Sequence, residues 1–303
     1  MIGIVAPVVA IEQYVEAKTG VVSQLCLHPG GQGVHVARVV KEFGEACTVA
    51  TLAGGEPAPV LRALLDEYAI PHRLVSMQSP TKIVIKLTGD FHELSVLQLP
   101  IPRVNRHEAD NMFEAASLLV LESQVAVLSG SLAEGMPTDF FARLVRLANR
   151  HGVRTVLDVA PEYLETAVRA GPTVVKPGQH QLRQMLRLSP NPSTRELAQA
   201  ARELCAWGAE VVVVSRAPEG ALAVSKDWAW DLRAPVVEPV EQAGMGDCTV
   251  GVIAVGLAQG WPIADTLQTA VGASAAKALR HGMATCKRAT TLLLKAEVQV
   301  TVL

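Results

Sequence analysis

Gly244-Met245-Gly246-Asp247, followed directly by the apolar run 248–257, places one carboxylate in a glycine-bounded loop that opens a buried helix. The first amides of a helix lack partners within it and sit at the positive end of its dipole, so such a loop can hold an anion. Asp247 would repel a resting phosphate there. It could, however, take the proton of a hydroxyl attacking a phosphoryl group while the neighbouring amides absorb charge on the phosphoryl oxygens. Asp is also a common helix cap, and the loop alone leaves both readings open. A second cluster, Pro29-Gly30-Gly31-Gln32-Gly33, leads into the helical pattern 34–43, which Gly44 stops. Its glycines permit either close approach by a ligand or tight packing of a helix on a sheet. Together the clusters suggest two polar ligands meeting between loops.

Elements of an α/β protein must position these loops. Short β-branched runs at 47–52, 125–129, 154–158, 173–176 and 211–215 read as buried strands, and helical patterns at 58–68, 108–121, 138–150, 161–170 and 194–207 lie between them. Strand-helix-strand repeats imply parallel pairing with right-handed crossovers. Two stretches break the rhythm. Segments 83–88 and 94–99, joined by a turn around Gly89-Asp90, read as a hairpin, as does 8–27 with its reversal near Lys18-Thr19-Gly20. Paired hairpins would make a small sheet beside the main one. Trp228 and Trp230 alternate in a polar stretch that reads as an edge strand.

Composition narrows the function. At 303 residues, 50% hydrophobic and 4% aromatic, the chain can bury a large core of Val, Leu and Ala. A formal charge of -2 without basic tract or aromatic ladder gives no attraction to nucleic acid or membrane. The cysteines Cys26, Cys47, Cys205, Cys248 and Cys286 form no close pair, which fits neither a disulfide framework nor a zinc site. With no signal-type start and no uncharged segment approaching ~20 residues, the expected location is cytoplasmic. HExxH, GxSxG and GxxxxGK[ST] are absent, which removes metalloprotease, serine hydrolase and P-loop readings.

Taken in order, the motifs resemble those of the ribokinase-like PfkB carbohydrate kinases, most closely the branch of 1-phosphofructokinase and tagatose-6-phosphate kinase. Gly30-Gly31-Gln32-Gly33-Val34-His35-Val36-Ala37-Arg38 is similar to GGKGxNVAR, and Ser129-Gly130-Ser131-Leu132 with Pro137-Thr138-Asp139-Phe140-Phe141 to GSLPPG…DFY. Val175-Lys176-Pro177 with Leu182 resembles KPNxxEL. Ser215-Arg216-Ala217-Pro218-Glu219-Gly220-Ala221 resembles SxGxxGA, and Gly244-Met245-Gly246-Asp247 resembles GAGD.

The resemblance implies one domain over 1–303, a three-layer α/β/α fold with a mostly parallel central sheet and a small β-sheet lid from 8–27 and 82–100. It implies ATP near Lys176, Ser215, Gly220 and Gly244, and a sugar near Glu12, Gly30, Gly31, Gln32, His35 and Lys82. It further implies Asp247 as general base, an anion hole from Gly244 to Gly246, and a homodimer through the lid. Magnesium belongs to the family chemistry, but the Asn and Glu of KPNxxE fall on Gly178 and Gln181, and neutral groups give up the charge that draws in a hard cation. Other departures stand on the acceptor side: Glu12 for Asp, Gln32 for Lys, His35 for Asn, and Lys82 for Arg, which keeps charge without the bidentate fork. Glu241 falls near an acid that precedes the glycine loop in many relatives. Two expectations follow: an ATP-dependent kinase for a small sugar or sugar phosphate, or a kinase-fold protein that binds sugar or nucleotide without turnover.

Overall fold

The computed structural model describes residues 1–18, 21–89, 95–280, 282 and 285–303. The chain opens with β1 (Ile2–Val5), sends out β2 (Ala10–Lys18) and β3 (Val21–Gly30), and returns through α1 (Gln32–Glu42). Next come β4 (Cys47–Gly54), α2 (Pro57–Glu67) and β5 (His72–Met77), then a second excursion, β6 (Lys82–Gly89) and β7 (Ser95–Gln98). Alternation resumes with α3 (Arg106–Leu121), β8 (Val125–Gly130), α4 (Phe140–Arg150), β9 (Arg154–Val159), α5 (Pro161–Val168), β10 (Val174–Val175), α6 (Gln179–Leu186), α7 (Thr194–Trp207) and β11 (Val211–Ser215). The last part holds β12 (Gly220–Ser225), β13 (Ala229–Arg233), α8 (Met245–Gln259), α9 (Ile263–Ala278), α10 (Arg288–Lys295) and β14 (Gln299–Val302).

Ten strands form one sheet in the order β14-β13-β12-β11-β10-β9-β8-β1-β4-β5. From β5 to β11 every pairing is parallel, and from β11 to β14 every pairing is antiparallel. Successive side chains of a strand face opposite sides. Ile2 and Ile4 therefore pack toward α1, α2, α8 and α9, while Val5 and Leu128 pack among residues of α3, α4 and α7, which gives three layers around two apolar cores. Trp230 pairs with Val302, so β13 is an inner strand and not the edge expected from its polar neighbours. The Trp228 and Trp230 rings stack at 4.0 Å between centroids.

Chain order reverses at β1: it leads to β4 on one side and lies against β8 on the other. In open parallel sheets the crevice beyond the carboxyl ends of such strands is where ligands bind. Over that end lies the second sheet, β3-β2-β6-β7, with β2 and β6 parallel and both outer pairings antiparallel. The turns expected at Thr19-Gly20 and at Asp90 fall outside the described residues. Helix α8 is apolar on all sides and buried from Asp247 to Gly256, as its continuous hydrophobic run requires. It crosses α1 at Gly251, where an added Cβ would stand 2.6 Å from Val39 Cγ1. Among the described residues no helix is long and apolar enough to cross a membrane.

Candidate active site

Both glycine-opened helices point their N-termini at the crevice beyond β1 and β8. Each glycine of the first loop answers a local demand. A Cβ at Gly30 would lie 2.3 Å from Glu12 Cγ, and one at Gly33 would lie 2.3 Å from Ala6 Cβ, so the loop folds down onto β2 and onto the end of β1. Gly31 supplies the left-handed turn, with φ 93°, that starts α1. The Gln32 side chain reaches over Gly130, the last residue of β8. Gly244 caps α8 in the left-handed region, with φ 82°.

Between the two helices runs a chain of alternating charge. His35 Nδ1 is 2.8 Å from Asp247 Oδ2, and the two side chains are only 12% and 10% exposed. On the other side of the ring, Nε2 lies 3.3 Å from Glu12 Oε1, an ion-pair distance that falls short of hydrogen-bond geometry. Glu12 Oε2 accepts from Lys86 Nζ at 2.9 Å and from the Tyr14 hydroxyl at 3.1 Å, while Lys86 also donates to Tyr14 at 2.7 Å and lies over its ring. Burial by itself would lower the pKa of His35, but the hydrogen bond to Asp247 and the nearby Glu12 carboxylate outweigh it and raise the imidazole to about 9. Burial likewise pushes Glu12 up, yet His35 and then Lys86 hold it well below the usual carboxylate range. His35 is therefore an imidazolium at neutral pH, between two acids.

Beyond Asp247 the character changes. Lys176 is buried and pairs with Asp158 at 3.3 Å, and its Nζ would stand 3.3 Å from a Cβ on Gly246, beside the loop amides. Burial raises the pKa of Asp158, Lys176 partly offsets this, and Asp247 adds to it. Of the three amides expected to form an anion hole, that of Met245 also turns back onto the Gln242 carbonyl at 3.3 Å, while those of Gly244 and Gly246 have no partner among the described residues. Ser215, Ala217, Gly220 and Gly246 line a narrow cavity of about 50 Å³, and Ser215 and Ala217 also border a wider one of about 450 Å³ with Gly178, His180 and Arg183. Gly220, with φ 127°, has no room for a side chain, since a Cβ would lie 2.0 Å from the Leu232 carbonyl.

The residues in place do not fit a protein-held magnesium ion. Gly178 offers no side chain, and Gln181 Oε1 accepts the Gly178 N–H at 2.8 Å to cap its own helix. Among the described residues no group of three or more His, Cys, Asp or Glu is placed to hold a metal.

Lys82 opens β6 opposite Ala10, on the sheet face that carries Glu12 and Tyr14, and has no carboxylate partner among the described residues. The lysine that reaches Glu12 is instead Lys86, which the sequence reading missed together with Tyr14 and Asp158. Strand alternation carried the signal, since Glu12 and Tyr14 in β2 share a face with Lys82 and Lys86 in the paired β6. Glu241 accepts the Gly282 N–H at 2.6 Å, and the fully buried Lys277 reaches the carbonyls of Glu241 at 3.4 Å and Arg280 at 3.0 Å. That contact fastens the segment leading into Gly244 to the end of α9. Arg216, also buried, pairs with Asp231 in β13.

A family model described as pfkB family carbohydrate kinase matches residues 1–290. Phosphofructokinase-2 from Escherichia coli, solved in complex with potassium, is 26% identical with a TM-score of 0.87, over 98% of each chain. A protein of Thermotoga maritima described as a possible 1-phosphofructokinase is 18% identical, with a TM-score of 0.85 over 100% of this chain and 99% of that one. Ribokinase of Arabidopsis thaliana complexed with ribose and ATP is 16% identical, with a TM-score of 0.74 over 97% of this chain and 98% of that one. The latter two likenesses establish a ribokinase-like α/β fold.

Proposed function

The chain belongs to the pfkB family of carbohydrate kinases, and from that premise we propose that it transfers the γ-phosphoryl group of ATP to a hydroxyl of a small sugar or sugar phosphate, of the fructose-1-phosphate or tagatose-6-phosphate type. The observation that carries this reading is Asp247 itself. It stands in the first turn of α8 beside the free amides of Gly244 and Gly246, with Oδ2 on His35 and Oδ1 without a partner among the described residues. The acceptor oxygen would bond to phosphorus, its proton would pass to Oδ1, and the oxygen bridging to the β-phosphorus would leave with the bonding pair as ADP. Lys176 would face the incoming phosphate.

Acceptor binding falls to Gly30, Gly31, Gln32 and Lys82, with Glu12 and His35 shaping that wall through their contacts with each other, with Lys86 and with Asp247, and nucleotide binding falls to Lys176, Ser215, Gly220 and Gly244. Lys82, free of a carboxylate, is the cation offered to a sugar phosphate. A second copy of the chain is the proposed partner for the small sheet, whose Val22, Leu25, Val96 and Leu97 are exposed. The unpaired state of all five cysteines supports a cytoplasmic setting.

An ATP-consumption screen over sugars and sugar phosphates, with magnesium and manganese varied, tests the reading. ADP release that depends on one acceptor is the expected result. Binding of ATP and sugar by calorimetry with no turnover for any acceptor would overturn it in favour of a ligand-binding relative, a reading that the neutral Gly178 and Gln181 support.

A further inference from the structure

Nearly every carboxylate oxygen of the acceptor-side chain is already engaged. Glu12 Oε1 faces the Gly31 amide at 3.4 Å as well as His35, and Oε2 is held by Lys86 and Tyr14. Asp247 Oδ1 is the one left open among the described residues. A free aspartate exchanges its two oxygens by a broad rotation of its terminal torsion. A donor fixed on one oxygen stops that exchange. His35 is such a donor, held in α1 by the close crossing with α8 at Gly251.

We propose that His35 is the positioning residue of this active site: its Nδ1–H pins Asp247 Oδ2, so that Oδ1 alone meets the acceptor hydroxyl, and its other face ties that alignment to the lid through Glu12. The proposal rests on the kinase reading. During transfer the hydroxyl proton passes to Oδ1, and His35 keeps its own proton on Nδ1 throughout.

The charged groups around the ring are consistent with this. Asp247 faces it from α8 and Glu12 from β2, with Lys86 of β6 and Tyr14 of β2 behind Glu12. Asp158 and Lys176, at the ends of β9 and β10, stand behind Asp247. Arg38, one turn along α1, lies over the Tyr68 ring. The two acids in direct contact keep the imidazole protonated, with its pKa raised to about 9 against burial.

His35→Phe removes the donor, whereas His35→Asn restores a neutral one, and both are compared with the parent from pH 6 to 10, read by kcat, by KM for each substrate and by calorimetric ATP affinity. We expect His35→Phe to lower kcat by roughly 30-fold or more with ATP affinity within about twofold, and His35→Asn to recover a substantial part of that loss. The parent kcat should fall above about pH 9, a limb that His35→Asn should lack. A folded His35→Phe protein with kcat within about threefold of the parent, or an alkaline limb that persists in His35→Asn, overturns the proposal. If His35→Phe does not fold, the His35→Asn profile decides. If no acceptor is turned over, the kinase reading fails separately, and ¹⁵N chemical shifts of the imidazole decide the pinning. Protonation up to about pH 9 in the parent that drops in Asp247→Asn supports it, and titration near 6.5 in the parent overturns it.

Discussion

The proposed acceptor side and the proposed donor side of the crevice are built from different material. Where β2, β6, α1 and α8 meet, Lys86, Glu12, His35 and Asp247 engage one another in sequence, and Tyr14 braces the outer end. Where β10, α6 and β11 meet, Gly178, Ser215, Ala217 and Gly220 border open space beside His180 and Arg183, which engage each other, and Gln181 is turned inward as a cap. Side chains can be tuned to one substrate, and a change in one of them disturbs the rest. Amides and glycines survive the loss of neighbouring side chains, so the donor side can lose the Asn and Glu of its motif and keep its shape.

The sharpest way to break this contrast is Asp247→Asn, which matches the carboxylate in size but cannot accept the proton. Turnover should fall by roughly 10²- to 10⁴-fold while calorimetry shows ATP and acceptor still bound. Equal loss of both affinities would mean that Asp247 is a structural cap.

Stability against pH probes the His35 end of the comparison. His35 is raised in the folded state from 6.5 to about 9, so its contribution is complete below about pH 6.5 and is lost as pH rises through about 9. At about 1.4 kcal/mol per decade of acidity this is on the order of 3 kcal/mol. Urea unfolding at pH 6 and pH 9.5 should show a larger loss in the parent than in His35→Asn, the difference being the His35 share, since the thiols of Cys47, Cys205 and Cys248, raised by burial, add a loss common to both.

Lys277 tests the joint between the regions, because it fastens the segment before Gly244 to α9. Lys277→Met leaves the part-buried carbonyls of Glu241 and Arg280, and the Glu241 carboxylate 3.9 Å away, without their cation and should cost about 1 kcal/mol in denaturant unfolding. A variant as stable as the parent would show that water takes the place of the amine.

The smallest effect belongs to the donor side. A Cβ at Gly178 would meet nothing closer than 3.6 Å, and its φ of -73° suits any residue. Gly178→Asn with Gln181→Glu should therefore fold, gain a few tenths of a kcal/mol from better capping, and increase the effect of magnesium on ATP affinity in calorimetry. No change in the magnesium dependence would place the donor phosphates away from α6.

What could be read in the sequence was what is local. Strands β8, β9 and β11 show as contiguous β-branched runs because parallel strands are covered on both faces. Helix α7 was bounded at both ends, and its start is fixed by Ser193 and Glu196 capping each other. Helix α9 and strand β14 went unread. The first is Ala-rich and buried around much of its surface, which erases the periodic signal, and the second pairs with residues far away in the chain. The same division holds in the site. Gly244 to Asp247 and Gly30 to Gly33 are contiguous and stood out, whereas the contacts of His35 with Glu12 and Asp247 join segments that only the fold brings together.

Gly251 lies one helical turn beyond Asp247, and Val39 one turn beyond His35, so a tight contact of α8 with α1 sits one turn from the ion pair. The missing side chain at Gly251 thus acts as a spacer that gauges the 2.8 Å separation above it. A side chain added at that crossing would force the two helices apart and so lengthen the contact between His35 and Asp247, a defect seated a full turn away from either charged group.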